Sequence, residues 1–330
     1  MGTPSLRLDA PARALDLALD LAIEATRAFI ERPTPARARD VERRARALGW
    51  GARDVLVARW CEAPLPSSSI VGVGDAAFAL ASTALHIARP HAALTLLERS
   101  EGPSRLALWF NRGVARWRLG ELEEARRCMD EARRSLPAST TTRARAVAEA
   151  REALDQHARA CARRLGVERV QGPRLALQLL DPVHAAPLRA HQADPSVARR
   201  ANMTRLAALL DAQRFVERQL ARPRRLPLAV LHHRWGAIGF ASLQRVDPER
   251  ASVSYWLGAE THGQGLGTEL VGLLSSLAEG QGIRELQASV LESNVASERI
   301  LSKHGFLRGD GGASGPSIEL RRRLRGPDPT

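Results

Sequence analysis

The feature that most restricts how this 330-residue chain can fold is the stretch His262 to Val271, which reads HGQGLGTELV. Its three glycines lie between a strand-like segment, ASVSYWL (251–257), and a helix-like one, TELVGLLSSLAEG (268–280). Strand, glycine turn and helix start in that order bring successive backbone N–H groups together at the positive end of a helix. Such a turn holds an anion, and phosphate is its default guest. Glycine is required because it adopts left-handed backbone freely and lets a ligand approach the main chain closely.

Two familiar phosphate turns do not fit. A P-loop needs GxxxxGK[ST], and no lysine is present in the segment. A dinucleotide turn needs GxGxxG near the first strand of its unit. Here Gly263, Gly265 and Gly267 alternate, and Thr268 stands where the third glycine belongs.

The surrounding sequence predicts a mixed α/β domain. RLALQLL (174–180) reads as a strand, DPVHAAPLRAHQADPSVARRAN (181–202) as two short helices, and MTRLAALLDAQRFVERQLARP (203–223) as a longer amphipathic helix. LPLAVLHHR, GAIGFASLQRV and ASVSYWLGA are strands, with a hairpin at VDPER (246–250). ELQASVLES (285–293) is a strand, NVASERILSKHGF (294–306) a helix, and SIELRRRL (317–324) a closing strand.

Ala10 to about Leu165 has a different grammar, helices punctuated by proline and glycine. PARALDLALDLAIEATRAFIERP (11–33) is one helix; Thr34 and Pro35 then supply an N-cap and first-turn proline for ARARDVERRARAL (36–48), which Gly49 terminates. RDVLVARWCEA (53–63) is a third, stopping before Pro64. In Leu106 to Pro137, Trp109, Gly113, Gly120, Ala125, Ala132 and Pro137 resemble a tetratricopeptide (TPR) repeat. The small residues let two helices approach closely while Trp109, Leu122 and Met129 fill the space around them. A looser copy covers 76–102, with Ala93 lying 32 residues before Ala125. Stacked repeats need about three neighbours, so the flanking helices must complete the array.

A chain of this length predicts two domains, 1–165 all-α and TPR-like, and 166–330 mixed α/β. Hydrophobic residues make up 44% and charged ones 26%, ordinary for soluble protein, and no apolar run approaches a bilayer span. The start lacks the order of a secretory signal, so a cytoplasmic location is expected. The net charge of +13 is carried mostly by arginine in an Ala/Arg/Leu-rich chain, which points to genome composition ahead of a nucleic-acid partner. Cys61, Cys128 and Cys161 have neither CxxC pairing nor histidines at metal spacing, so no metal site is expected and they are read as small buried groups. His184, His191, His232, His233 and His304 show no partner pattern and are read as surface or helix residues.

The segment SYWLGAETHGQGLGTEL, with the downstream NVASERILSKHGF, resembles the GNAT superfamily of N-acetyltransferases. Arg174 to Leu324 as a whole is similar to its RimJ/RimL-type branch, through RLALQLLDPVHAAPL, ADPSVARRAN, the glycine turn, and Asn294, Ser297, Gly305 and Phe306 in order. The resemblance implies that acetyl-CoA, or another acyl-CoA, binds with its diphosphate on the amides around Gly263, Gln264, Gly265, Leu266, Gly267 and Thr268. It implies that the fourth and fifth strands splay, admitting the pantetheine arm against backbone near Trp256, Leu257 and Gly258, where a backbone donor stabilises the oxyanion. Asn294 and Ser297 belong to the same cofactor site.

Direct transfer needs a neutral amine and an acid for the departing thiolate. Many relatives place a tyrosine seven residues after the asparagine, a position that is Leu301 here; the chain's one tyrosine is Tyr255. The resemblance offers Ser297 as the acid, against a reading in which it only satisfies helix N-terminal donors. Tyr255 and Trp256 alternate along their strand, so one faces the core and the other the cleft, unless both are packing residues. The first position of the turn motif is His262 in place of Arg or Gln, and a histidine can still donate to phosphate. Ser252 stands where relatives carry a glutamate. Glu292 and Glu260 are the remaining candidates for the base, each against a reading as a solvated carboxylate.

The expectation is an acyl-CoA-dependent N-acyltransferase whose acceptor is a peptide or protein amine recruited by the helical domain. Two alternatives stay open: a small-molecule amine acetyltransferase whose helical domain only assembles a homo-oligomer, and a non-catalytic CoA-binding scaffold.

Overall fold

A computed structural model describes residues 10–48, 50–63, 76–100, 104–136, 141–192, 194–309 and 317–324. The chain divides into two compact units: the described parts of Met1–Ala115 with Arg127–Ala148, and those of Arg116–Arg126 with Glu149–Thr330. The helices of the N-terminal half are α1 (Ala10–Glu31), α2 (Pro35–Ala47), α3 (Trp50–Glu62), α4 (Ala76–His86), α5 (Pro90–Glu98), α6 (Arg105–Arg118), α7 (Leu122–Arg134) and α8 (Thr141–Leu165).

Thr34 caps α2 as its sequence predicts, its hydroxyl accepting from the Arg37 N–H at 3.3 Å with Pro35 in the first turn. Gly49, Pro64 and Pro137, expected to punctuate these helices, lie outside the described residues. Trp60 of α3 is fully buried and donates its indole N–H to the Thr26 hydroxyl of α1 at 2.9 Å. Leu106, Ala132 and Val147 form a cluster joined by Trp109, Phe110 and Leu136. Gly113, Ala125, Ala132, Leu122 and Met129 are buried, and Gly120 takes the left-handed backbone (φ +76°) that turns α6 into α7.

The second unit reaches back across the boundary expected at residue 165. In its part of α8, Leu154, Ala158 and Cys161 are buried, and His157 Nδ1 lies 3.2 Å from Asp181 Oδ2. Arg126 joins Asp155 at 3.1 Å and Glu168 at 2.9 Å.

Eight strands form one sheet: β1 (Val170–Gln171), β2 (Leu175–Leu179), β3 (Arg225–His232), β4 (Gly236–Arg245), β5 (Arg250–Leu257), β6 (Glu285–Leu291), β7 (Leu307–Arg308) and β8 (Ser317–Arg323), in the order β1-β2-β3-β4-β5-β6-β8-β7. The two-residue strands β1 and β7 carry no sequence signal of their own. Every neighbouring pair is antiparallel except β5–β6, which is parallel. Helices α9 (Ala185–His191), α10 (Pro195–Arg200) and α11 (Leu209–Leu220) precede β3, α12 (Leu266–Gly280) links β5 to β6, and α13 (Val295–Lys303) follows β6. Helix α11 begins six residues into its expected segment, where the Asp211 carboxylate accepts the Ala208 N–H at 2.7 Å.

Val197, Leu188, Phe215 and Val216 of α9–α11 pack with Leu231, Phe240 and Trp256 of the sheet in one apolar cluster. A register shift at Val230/Leu231 leaves Ile238 as an extra residue on β4. Gly239 beside it has no room for a side chain, since a Cβ would fall on the Trp256 carbonyl. His184, His191 and His232 are buried; the first two stand on helices, as one branch of the expectation allows, whereas His232 lies in β3, neither on the surface nor on a helix. The His184 ring Nδ1 accepts the Asp181 N–H at 3.0 Å, closing a capping box, and burial drives its pKa well below the ordinary value.

Candidate active site

Strands β5 and β6 pair only over Arg250–Ser252 with Glu285–Gln287. From Val253 onward the edge of β5 that faces β6 has no strand partner, so the two strands diverge towards their C-terminal ends. Beyond that gap the chain passes through a 3-10 turn at Ala259–Thr261 and then the glycine turn.

Gly263 and Gly265 both have φ +76°, a left-handed conformation that a Cβ would strain by about 1–2 kcal/mol per residue. Gly265 is the N-cap of α12, a helix of 15 residues. Among the described residues, no acceptor takes the N–H groups of residues 263–268, whereas the Glu269 N–H returns to the Gly265 carbonyl at 3.2 Å. These donors line one rim of the divergent strands, where the helix adds its positive end. Gly267 contributes differently: a Cβ there would lie 2.7 Å from Ile300 Cδ1, so its role is close packing of α12 on α13.

The turn is anchored by residues that carry no local sequence signal. Arg174, at the start of β2, donates through Nη1 to the Gln264 carbonyl at 2.8 Å and through Nε to Glu269 at 3.0 Å. Glu269, in the first turn of α12, also accepts the backbone N–H groups of Arg174 (2.7 Å) and Leu175 (2.8 Å). Burial pushes the Glu269 carboxyl up, but these hydrogen bonds and the Arg174 charge outweigh it and leave its pKa below the usual value.

A cavity of about 450 Å³ occupies the gap. The structure brings together around it Tyr255, Trp256, Leu257, His262, Gly263, Gly265, Leu266, Gly267, Thr268, Asn294 and Ser297 of the residues singled out from sequence. Gly258, Gln264 and Glu292 are not among its walls. The Gly258 N–H donates to the carbonyl of the bulged Ile238 at 2.9 Å, the Gln264 side chain turns back to the Glu260 carbonyl at 3.0 Å, and Glu292 is exposed on the turn after β6. Glu260 is half-buried against Gly258, not solvated as a surface carboxylate would be. Arg200, Arg299 and Lys303 join the walls without having been anticipated; all lie on helices whose placement only the fold reveals.

His262 lies in the cavity wall with both ring nitrogens in contact with protein atoms. Its Nε2 lies 3.1 Å from the Leu257 carbonyl and its Nδ1 3.4 Å from Arg200 Nη1. A carbonyl only accepts and a guanidinium only donates, so Nε2 carries the proton and Nδ1 accepts. Both ring nitrogens are engaged, and the ring ties the end of β5 to α10 at the wall of the cavity. Asn294 caps α13 through Oδ1, which accepts the Ser297 N–H at 3.3 Å, while its Nδ2 donates to the Arg200 carbonyl at 3.3 Å.

Trp256 belongs to the core cluster and also lines the cavity, its indole N–H buried without a partner. The Tyr255 hydroxyl is likewise buried and faces Ser297, although the two do not reach good hydrogen-bond geometry. Burial raises the Tyr255 pKa from 10.0 to about 12, partly offset by Ser297, so the phenol, neutral at pH 7 in any case, stays protonated further into the alkaline range. Cys161, far from the turn in sequence, is pushed to about 11 by burial and is no nucleophile. No group of His, Cys, Asp and Glu able to hold a metal occurs among the described residues. No described helix is long and apolar enough to cross a membrane.

Residues 174–307 match a family model described as an acetyltransferase (GNAT) domain. No curated protein matches the chain in sequence. Similar solved structures include RimL, the ribosomal L7/L12 alpha-N-protein acetyltransferase in complex with coenzyme A (17% identity, 48% of this chain, 98% of that one, TM-score 0.40). Others are the GNAT domain of S. lividans PAT (19%, 48%, 95%, TM-score 0.39) and a GNAT-family acetyltransferase from Bacillus anthracis (12%, 47%, 97%, TM-score 0.40). The divergent strand pair and the glycine turn both fall within residues 174–307, the part of the chain that matches the acetyltransferase (GNAT) domain model.

Proposed function

We propose that the chain transfers an acyl group, most simply acetyl, from acyl-CoA directly to an amine of a peptide or protein that the helical half recruits. The observation that carries the reading is the set of unclaimed N–H groups at residues 263–268 opening onto the divergence of β5 and β6. Acyl-CoA suits the cavity: the turn offers donors to a diphosphate, and the unpaired edge of β5 beyond Ser252 can receive an extended amide-bearing arm. When bound, acyl-CoA supplies an acyl carbon already activated as a thioester.

The chain's own residues orient and protonate. Gly263, Gly265, Leu266, Gly267 and Thr268 hold the diphosphate through backbone N–H groups; Arg200, Arg299 and Lys303 add positive charge along the same wall. Trp256 shapes the arm's channel. Tyr255, neutral at pH 7, and Ser297 beside it form the hydroxyl pair that delivers a proton to the leaving thiolate. Glu292 is set aside as a base because it is exposed and outside the cavity. The amine attacks in its neutral form; the proton that its nitrogen must then shed leaves to water at the open side of the cleft, and the solvent returns one to the Tyr255–Ser297 pair, so that amide and thiol are formed with the pair restored.

A protein or peptide acceptor would give the helical half a role, since its sequence resembles a repeat that recruits partners. Free-thiol release by the full chain, run against panels of peptides and of small amines, tests the assignment. Transfer to peptides at a higher kcat/KM than to any small amine is expected. Equal or better use of small amines overturns recruitment, and the absence of acetyl-CoA binding by calorimetry overturns the whole reading.

A further inference from the structure

The α/β unit contains a second cavity, of about 380 Å³, at the opposite end of β5 from the glycine turn. It lies where β3 and β5 begin, β4 ends and α12 runs into β6. Four arginines line it: Arg164, Arg224, Arg225 and Arg245. No carboxylate does. Leu226, Leu243, Ala251 and Ile283 supply an apolar floor.

The hydrogen bonds of these arginines are unusual in one respect. Arg164 donates to the Arg225 carbonyl at 2.6 Å; Arg225 donates to the Gln244 and Gln219 side-chain oxygens at 3.0 and 2.7 Å; Arg245 donates to the carbonyls of Pro248 and Gln281 at 2.9 and 2.8 Å. Every acceptor is neutral, and among the described residues none of the four arginines forms an ion pair. The nearby acids are committed elsewhere, Asp247 to Arg250 at 2.5 Å and Glu249 to Arg284 at 3.3 Å. Arg126 in the same unit shows the contrast, with three carboxylates around one guanidinium. Burial lowers the pKa of Arg164 and Arg225, and Arg163 and Arg222 add to it, as expected where positive charge is crowded and uncompensated.

Neutral acceptors hold the guanidiniums of Arg164, Arg225 and Arg245 in place without cancelling their charge, which with the exposed Arg224 leaves a positive concavity that is open to solvent. Fixed guanidiniums are suited to the forked oxygens of phosphate and carboxylate, and holding them beforehand reduces the ordering cost of binding. The cavity falls within the size range of small-molecule sites, roughly 300–1,000 Å³, and is too small for a folded partner. We propose that it binds a small organic polyanion bearing phosphate or carboxylate groups, whose apolar part rests on the Leu226–Ile283 floor, independently of the glycine turn.

Calorimetry on the full chain with two probes, inorganic pyrophosphate and citrate, tests this. At least one probe should bind, weaken as ionic strength rises, and lose at least tenfold in affinity in the double variant Arg164→Gln/Arg224→Gln, whose side chains are exposed and leave the sheet's hydrogen bonds intact. Tighter binding of pyrophosphate assigns phosphate chemistry and tighter binding of citrate assigns carboxylate; either supports the site. The variant Arg299→Gln/Lys303→Gln, at the other cavity, should retain this binding. Failure of both probes to bind, unchanged affinity in Arg164→Gln/Arg224→Gln, or loss of all binding in Arg299→Gln/Lys303→Gln would each overturn the proposal.

Discussion

Glu269 and Arg174, 95 residues apart, lock the helix that follows the glycine turn to the start of β2: one carboxylate accepts the Arg174 guanidinium at 3.0 Å and two backbone N–H groups at 2.7 and 2.8 Å. The guanidinium in turn holds the Gln264 carbonyl at 2.8 Å, inside the turn itself. Glu269 therefore fixes the backbone of the glycine turn without standing in the cavity.

Glu269→Gln should destabilise the fold by about 2 kcal/mol, the usual scale for hydrogen bonds to a charged group. Its pKa is lowered in the folded state, so the native state binds its proton less readily than the unfolded chain. The stabilisation is then present above the ordinary carboxyl value of 4.5 and is lost as pH falls below it. Thermal melts of wild type and Glu269→Gln from pH 7 to pH 3 should converge at the acid end; a constant gap would show that the carboxylate's charge is not the source.

Gly267→Ala places a methyl 2.7 Å from Ile300 Cδ1, at the contact between α12 and α13. Overpacking of this kind costs about 1–3 kcal/mol. Shortening the opposing side chain in Gly267→Ala/Ile300→Val should restore most of the loss, read as the urea midpoint. A double variant less stable than Gly267→Ala would place the strain in the backbone and not in the contact.

How much of this was legible depended on how local the cause was. The α2 cap at Thr34–Pro35 and the glycine turn at 263–267 are short-range devices, and sequence placed both. The walls of the cavity followed as far as they were contiguous with the turn or with Asn294. What escaped was set by long-range partners. Arg174 and Glu269 look like ordinary charges until β2 and α12 are adjacent. The contacts of His262 with Arg200 and the Leu257 carbonyl likewise depend on α10 lying beside the end of β5. Gly258 was expected in the cleft, but a bulge at Ile238 takes its N–H, and no sequence pattern announces that bulge.

The same bulge region makes Gly239 a position of close approach between β4 and β5. A Cβ there meets the Trp256 carbonyl, which is backbone and cannot move aside. Gly239→Ala should cost about 3 kcal/mol, and because Trp256 lines the cavity it should also weaken acetyl-CoA binding. Denaturant melts with and without acetyl-CoA separate the two effects; normal stability would mean that the strands part without cost.

Tyr255 and Ser297 should behave as one unit. If their facing hydroxyls deliver the proton to the leaving thiolate, Tyr255→Phe and Ser297→Ala should each lower kcat by about 100-fold while leaving acetyl-CoA affinity within threefold. Tyr255→Phe/Ser297→Ala should be no worse than the poorer single variant, because removing either hydroxyl already breaks the path. Burial raises the Tyr255 pKa from 10.0 to about 12, so the folded state favours the neutral phenol. That contribution to stability is intact below pH 10 and declines as pH rises towards 12, a decline that Tyr255→Phe should lack. For the same reason kcat should show no falling limb from Tyr255 between pH 7 and pH 10. A Tyr255→Phe enzyme with wild-type kcat across that range would leave Ser297 to act alone and reduce Tyr255 to a wall of the cavity.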